Sequence, residues 1–69
     1  MRYAMVIEKG DHNYSAYLPD LPGCVTTADT IEELKHNMQE AIELHLEGLR
    51  EDGLPLPEPS AVDFVEVAA

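Results

Sequence analysis

Asp29-Thr30-Ile31-Glu32-Glu33-Leu34 opens the long periodic stretch of this chain, and its reading decides the fold. Thr30 followed three residues later by Glu33 is a capping box: the threonine hydroxyl caps the Glu33 amide and the Glu33 side chain reaches back. Asp29, Glu32 and Glu33 also place negative charge where the helix dipole favours it. From Ile31 the apolar residues recur as Leu34, Met38, Ala41, Ile42, Leu46 and Leu49. Those three- and four-residue steps make one stripe of an amphipathic helix. Gly53, just past the last apolar position, is a natural stop. The pattern predicts a helix over about 31–52 whose apolar face must be covered by something else.

Working outward toward the N-terminus, Cys24-Val25-Thr26-Thr27-Ala28 is short and β-branched and reads as a strand, about 24–28. Before it, Pro22-Gly23 suits the centre of a type II turn, because proline presets φ and glycine takes the positive φ. Asn13 to Leu18 carries aromatics at period two, and Gly10-Asp11-His12-Asn13 supplies turn residues, so a hairpin joins strands of about 2–9 and 13–18. Beyond the helix, Leu54-Pro55-Leu56-Pro57-Glu58-Pro59 is a stiff, extended connector. Val62-Asp63-Phe64-Val65-Glu66-Val67 reads as a fourth strand, about 62–67.

Two hairpin links make the first three strands antiparallel, and the helix with its proline connector is long enough for a crossover. Tyr3-Ala4-Met5-Val6-Ile7 is apolar on both alternating faces, the mark of an interior strand. The fourth strand is therefore expected beside the first. The expected architecture is α+β, β-β-β-α-β: a four-stranded mixed sheet in the order 3-2-1-4, with a right-handed crossover and the helix on one face. All of 1–69 forms one domain in this reading.

At this size a single core supplies about 3–5 kcal/mol without help. Cys24 is the one cysteine, so an intrachain disulfide is ruled out, and no Cys/His cluster has zinc spacing. Self-association or a partner chain is the remaining source of support. Fourteen Asp and Glu face four Lys and Arg, a formal net charge of −10. A nucleic-acid binder needs a basic footprint, and Arg2, Lys9, Lys35 and Arg50 are few and scattered. Direct nucleic-acid binding and attachment to an anionic membrane are thus disfavoured. A basic protein partner is favoured by long-range attraction, although plain solubility explains the same charge. The first apolar run meets Glu8 too early for a secretory segment, so a cytoplasmic location is expected.

Leu18-Pro19-Asp20-Leu21-Pro22-Gly23-Cys24, then Asp29 to Leu34, then Asn37, Glu40 and Ala41-Ile42 carry a resemblance. Together, and at this spacing, they look like the HicB antitoxins, over about Tyr3 to Pro57. The resemblance implies a truncated ribonuclease H-like domain. It also implies that the chain binds and silences a small basic RNA-cleaving toxin of the HicA type. Many family members add a C-terminal DNA-binding segment; 69 residues leave no room for one, so DNA binding is not expected to carry over.

Ribonuclease H-type catalysis needs several carboxylates on a divalent metal. The first strand has no acid before Glu8, and Asp20 and Asp29 lie at opposite ends of the third strand. No catalytic residue, metal or cofactor is expected. Cys24, at a strand start, reads as a small buried apolar residue. His36 falls four residues after Glu32, a favourable surface pair. His45 lies within the apolar stripe, either as a core-edge histidine or as a polar contact in an interface.

Glu43, Glu47 and Glu51 form a like-charge ladder, with Glu40 on the same face. Each step costs an isolated helix about 0.2–0.5 kcal/mol, which a basic partner would relieve. Leu21 is an apolar residue between two prolines: either a plug on the sheet or an anchor for a partner. Tyr17 lies on the sheet face opposite Tyr14, Ala16 and Leu18, the face the helix leaves open. The candidate partner surface is therefore Tyr17, Asp20, Leu21, Glu40, Glu43, Glu47 and Glu51. The third strand has no charge, lysine or proline to guard its edge. Cys24, Val25, Thr26 and Thr27, with His45, are the candidate contacts of a homodimer or higher homo-oligomer. The expected function is non-enzymatic occlusion of a HicA-type toxin. The rivals are a homo-oligomeric domain binding another protein or small ligand, and a residual metal-dependent nuclease.

Overall fold

The computed structural model describes residues 1–68, with strands β1 (Val6–Lys9), β2 (Tyr14–Tyr17) and β3 (Val25–Ala28) followed by helix α1 (Ile31–Glu51). The strands form an antiparallel sheet in the order β1-β2-β3. Its register runs from Val6↔Tyr17 to Lys9↔Tyr14 and from Tyr14↔Ala28 to Tyr17↔Val25.

Local chemistry explains each boundary. The β1–β2 turn is closed by the Gly10 amide donating to the Asn13 carbonyl at 2.8 Å. Between β2 and β3, Cys24 N–H donates to the Leu21 carbonyl at 3.1 Å, with Gly23 at φ +94°. That is the geometry of a type II turn centred on Pro22-Gly23. At the helix start, the Glu33 amide donates to Thr30 Oγ1 at 3.1 Å, the threonine half of the capping box. At its end, Gly53 (φ +69°) donates to the Arg50 carbonyl and Leu54 to the Leu49 carbonyl, at 3.1 and 2.9 Å. This pair of bonds is the Schellman arrangement, which satisfies the last orphan carbonyls of the helix.

The core is small. Ala16, Leu18, Leu21, Cys24, Leu34 and Met38 are buried, with Tyr3, Met5, Tyr14, Ala28, Ala41, Ile42 and Leu46 packed around them. Leu21, Leu34 and Met38 are fully enclosed, each contributing about 1.5–3 kcal/mol through burial. The helix packs on β3 and β2 but makes no close approach to β1. Its C-terminal half is consequently only half covered, at Ile42, Leu46 and Leu49.

The expected fourth strand does not form. Residues 62–67 belong to no ladder, and the sheet is three-stranded and wholly antiparallel. The order 3-2-1-4, the mixed sheet and the truncated ribonuclease H-like description are all replaced by β1-β2-β3 plus one helix. The alternation Val62-Asp63-Phe64-Val65-Glu66-Val67 specifies extended backbone, but a strand also requires an edge within reach, and alternation does not supply one. Phe64 and Val65 are 90% and 89% exposed. The interior reading of the first strand fails with it. β1 is an edge strand that begins at Val6 rather than near residue 2, and Ile7 is exposed. Of the apolar run, Tyr3 and Met5 pack against the core, while Ile7 stays exposed.

Candidate functional site

Three surfaces stand out, and each is built by a different part of the fold. The first is the outer face of α1. Glu40, Glu43, Glu47 and Glu51 are all exposed along it. Glu40 Oε1 lies 3.1 Å from His36 Nε2, an ion pair when the histidine is protonated. His36 thus pairs forward, not back with Glu32. Gln39 donates to Glu43 Oε1 at 3.3 Å. Local partners therefore temper the first two carboxylates of the row.

The second surface is the sheet face turned away from the helix. Glu8, Ser15, Tyr17, Val25 and Thr27 line a shallow depression there. Tyr17 and Val25 are exposed, a phenol beside an aliphatic patch. Tyr17 reaches this face because β2 alternates: Tyr14 and Ala16 turn to the helix and Ser15 and Tyr17 turn away.

The third surface was not anticipated from sequence. Because α1 leans on β3 and β2, a groove of about 470 Å³ opens between the helix and the residues leading into β1. Tyr3, Met5, Leu18, Met38, Ile42 and Leu46 line it, together with the charged Lys35, Glu43 and Arg50, so Glu43 belongs both to this groove and to the acidic face. Two of the four Lys and Arg residues of the chain thus line one groove, at opposite ends of the helix.

Leu21 is fully buried, as the plug alternative has it. Asp20 is turned to an internal task. Its Oδ2 accepts from the Ser60 amide at 2.8 Å and its Oδ1 from the Ser60 hydroxyl at 2.7 Å. These bonds, the hydroxyl's first and the amide's second, hold its carboxyl below the usual carboxylate value. Tyr3 adds a second long-range clamp by donating to the Pro57 carbonyl at 2.5 Å. No local pattern pairs Asp20 with Ser60 or Tyr3 with Pro57; both contacts exist only after the connector returns to the body.

Cys24 is buried, and burial pushes its thiol up, which disfavours the reactive thiolate. Its side chain is not at the β3 surface. Val25 and Thr27 are exposed on β3, Thr26 is half-buried, and Asn37 of the helix donates to the Thr27 carbonyl at 3.4 Å. His45 is half-buried on the apolar side of α1. Among the described residues no three His, Cys, Asp or Glu are grouped so as to hold a metal ion. Likewise no described helix is long and apolar enough to cross a membrane.

These features define a class: a small acidic sheet-and-helix domain whose distinctive parts are an anionic helix face, an open sheet face and an apolar groove. The chain belongs to the HicB-like antitoxin family of bacterial toxin–antitoxin systems, whose model matches residues 3–68. It is 40% identical over 63 residues to an uncharacterized 14.9 kDa protein of Haemophilus phage HP1. That match covers 91% of this chain and 47% of the phage protein, so the chain spans about half of that relative. It is 48% identical over 48 residues to a UPF0150 protein of Archaeoglobus fulgidus, covering 68% of this chain and 70% of that one. Among solved structures, it is similar to a chain of a HicA3 and HicB3 toxin-antitoxin complex. The TM-score is 0.71 at 33% identity, over 86% of this chain and 70% of that one.

Proposed function

We propose that this chain is an antitoxin that binds a small basic HicA-type toxin and silences it by covering its RNA-binding or catalytic surface. The observation that carries this reading is the 33% identity and 0.71 TM-score to a chain of a HicA3 and HicB3 toxin-antitoxin complex. The net charge of −10 supports it, because an anionic domain attracts a cationic partner over a distance set by the Debye length. Occlusion needs shape and affinity rather than bond chemistry, which suits a domain whose distinctive features are surfaces.

The docking surface in this reading combines Glu40, Glu43, Glu47 and Glu51 with Tyr17 of the open sheet face. A toxin lysine or arginine that settles among the glutamates relieves their mutual repulsion. Tyr17 supplies an aromatic anchor of the kind that dominates interface energies. Leu21 contributes by holding the β2–β3 loop in place from beneath. The work takes place in the cytoplasm, where the lone thiol of Cys24 stays reduced.

Co-expression with the product of an adjacent small basic reading frame is the direct test. The expected result is rescue of growth and co-purification as a complex that weakens as salt rises. A toxic neighbour that this chain neither binds nor neutralises would overturn the reading.

A further inference from the structure

We infer that the connector 54–60 is a releasable strap, and that its latch, Ser60 on Asp20, sets the β2–β3 loop in one of two states. Latched, the loop is closed over the core with Leu21 as its plug. Released, it lifts and presents Leu21 beside a free Asp20 carboxylate. The loop is built to move as a unit. Within 18–24, the Leu21 amide donates to the Leu18 carbonyl at 3.3 Å, the Cys24 amide to the Leu21 carbonyl at 3.1 Å and the Leu18 amide to the Cys24 carbonyl at 3.2 Å. These bonds hold the loop to itself, and none fastens it to the body. Burial of Leu21 and Cys24 does that, together with the bonds from the Ser60 amide and hydroxyl to Asp20, at 2.8 and 2.7 Å. Among the described residues, no other hydrogen bond outside the strands joins the loop to a distant segment.

Pro55, Pro57 and Pro59 remove every second amide donor from the connector, and an extended proline-rich chain forms no hydrogen bonds within itself. It is therefore held by its fastenings: the Leu54 amide on the Leu49 carbonyl at the helix end, the Pro57 carbonyl on Tyr3, and Ser60 on Asp20. The fixed φ of its prolines keeps the strap extended when the latch opens, so little chain entropy opposes relatching. Leu56, Pro57 and Pro59 are half-buried, whereas Ser60 is exposed and Asp20 only half-buried, so water and dissolved cations reach the latch. No bond of the latch is shared with the sheet ladders or the helix caps. Opening is thus a local event that leaves the sheet and α1 in place. The released loop offers an apolar side chain next to a carboxylate, the complement of a partner pocket with a cation at its lip. The device lies in the chain itself and does not depend on the antitoxin reading.

Cys24, the one cysteine and buried in the loop, is the native reporter. Its labelling by an aromatic disulfide reagent is measured on the full chain at neutral pH, alongside helix content at 222 nm. In the wild type the rate is expected to stay flat across urea concentrations below the unfolding transition, the mark of local opening. Asp20→Ala is expected to raise the rate at least about tenfold with helix content unchanged, and Ser60→Ala by less, since the amide bond survives. Combined, the two are expected to raise it no further than Asp20→Ala alone, because among the described residues the Ser60 hydroxyl donates only to Asp20. A wild-type rate that climbs with urea in step with global unfolding, an Asp20→Ala rate equal to that of the wild type, or fully additive effects of the two substitutions would each overturn the proposal. Where Asp20→Ala fails to fold, the urea dependence of the wild-type rate decides alone.

Discussion

Asp20 shows how a residue's chemistry is decided by a neighbour far away in sequence. As a loop carboxylate it reads as a contact for a basic partner. In the fold it accepts two hydrogen bonds from Ser60, 40 residues on, and ties the connector to the β2–β3 loop. Because those bonds favour the ionised form, its folded pKa lies below the ordinary value of 3.8. The stabilisation it provides is complete above about that value and is lost as pH falls through the lowered folded one. Asp20→Asn is therefore expected to lower the urea midpoint by its full amount at pH 7 and by progressively less as pH falls toward 2, which flattens the acid limb between pH 5 and pH 2. Urea titrations across that range check it. Leu21, its neighbour, illustrates the opposite outcome. An apolar residue between prolines suits either a plug or an anchor, and here it is buried beneath the turn at Pro22-Gly23.

At the scale of the element, the helix and the hairpins follow from local rules and the fourth strand does not. Thr30 caps the helix as the S/T-x-x-E pattern requires, and Gly53 ends it in a Schellman turn. Thr30→Ala removes the oxygen that the Glu33 amide uses. It is expected to cost about 1 kcal/mol, seen as a lower midpoint in thermal unfolding followed at 222 nm. Helix termini are legible because their signals are separated by three or four residues and act within one turn. The segment 62–67 has an equally regular alternation, yet alternation defines only which side chains share a face. Whether a strand forms depends on an unoccupied edge being within reach, and that is a property of the assembled body. The same limit explains β1, whose two apolar faces predict an interior strand although it lies at the edge.

At the scale of the whole molecule, electrostatics dominates. A formal charge of −10 on 69 residues makes encounter with a cation fast at low salt and slow at high salt. Glu43→Lys combined with Glu47→Lys alters the charge by four and is expected to slow toxin association at least about tenfold at low ionic strength. Stopped-flow or surface-based kinetics with the HicA-type partner, repeated across salt concentrations, would show that gap narrowing as salt rises. A chain this short also has little core of its own, and the helix stripe at Ile42, Leu46 and Leu49 stays half covered. The sequence by itself determined the helix, its caps, the two turns, the acidic face and the family resemblance, all of which depend on residues close along the chain or on simple sums of charge. Only the tertiary structure decided the three-stranded sheet, the Asp20–Ser60 and Tyr3–Pro57 clamps, and the groove beside α1. Those arise where distant segments meet, and nothing in a local pattern encodes the partner or the distance.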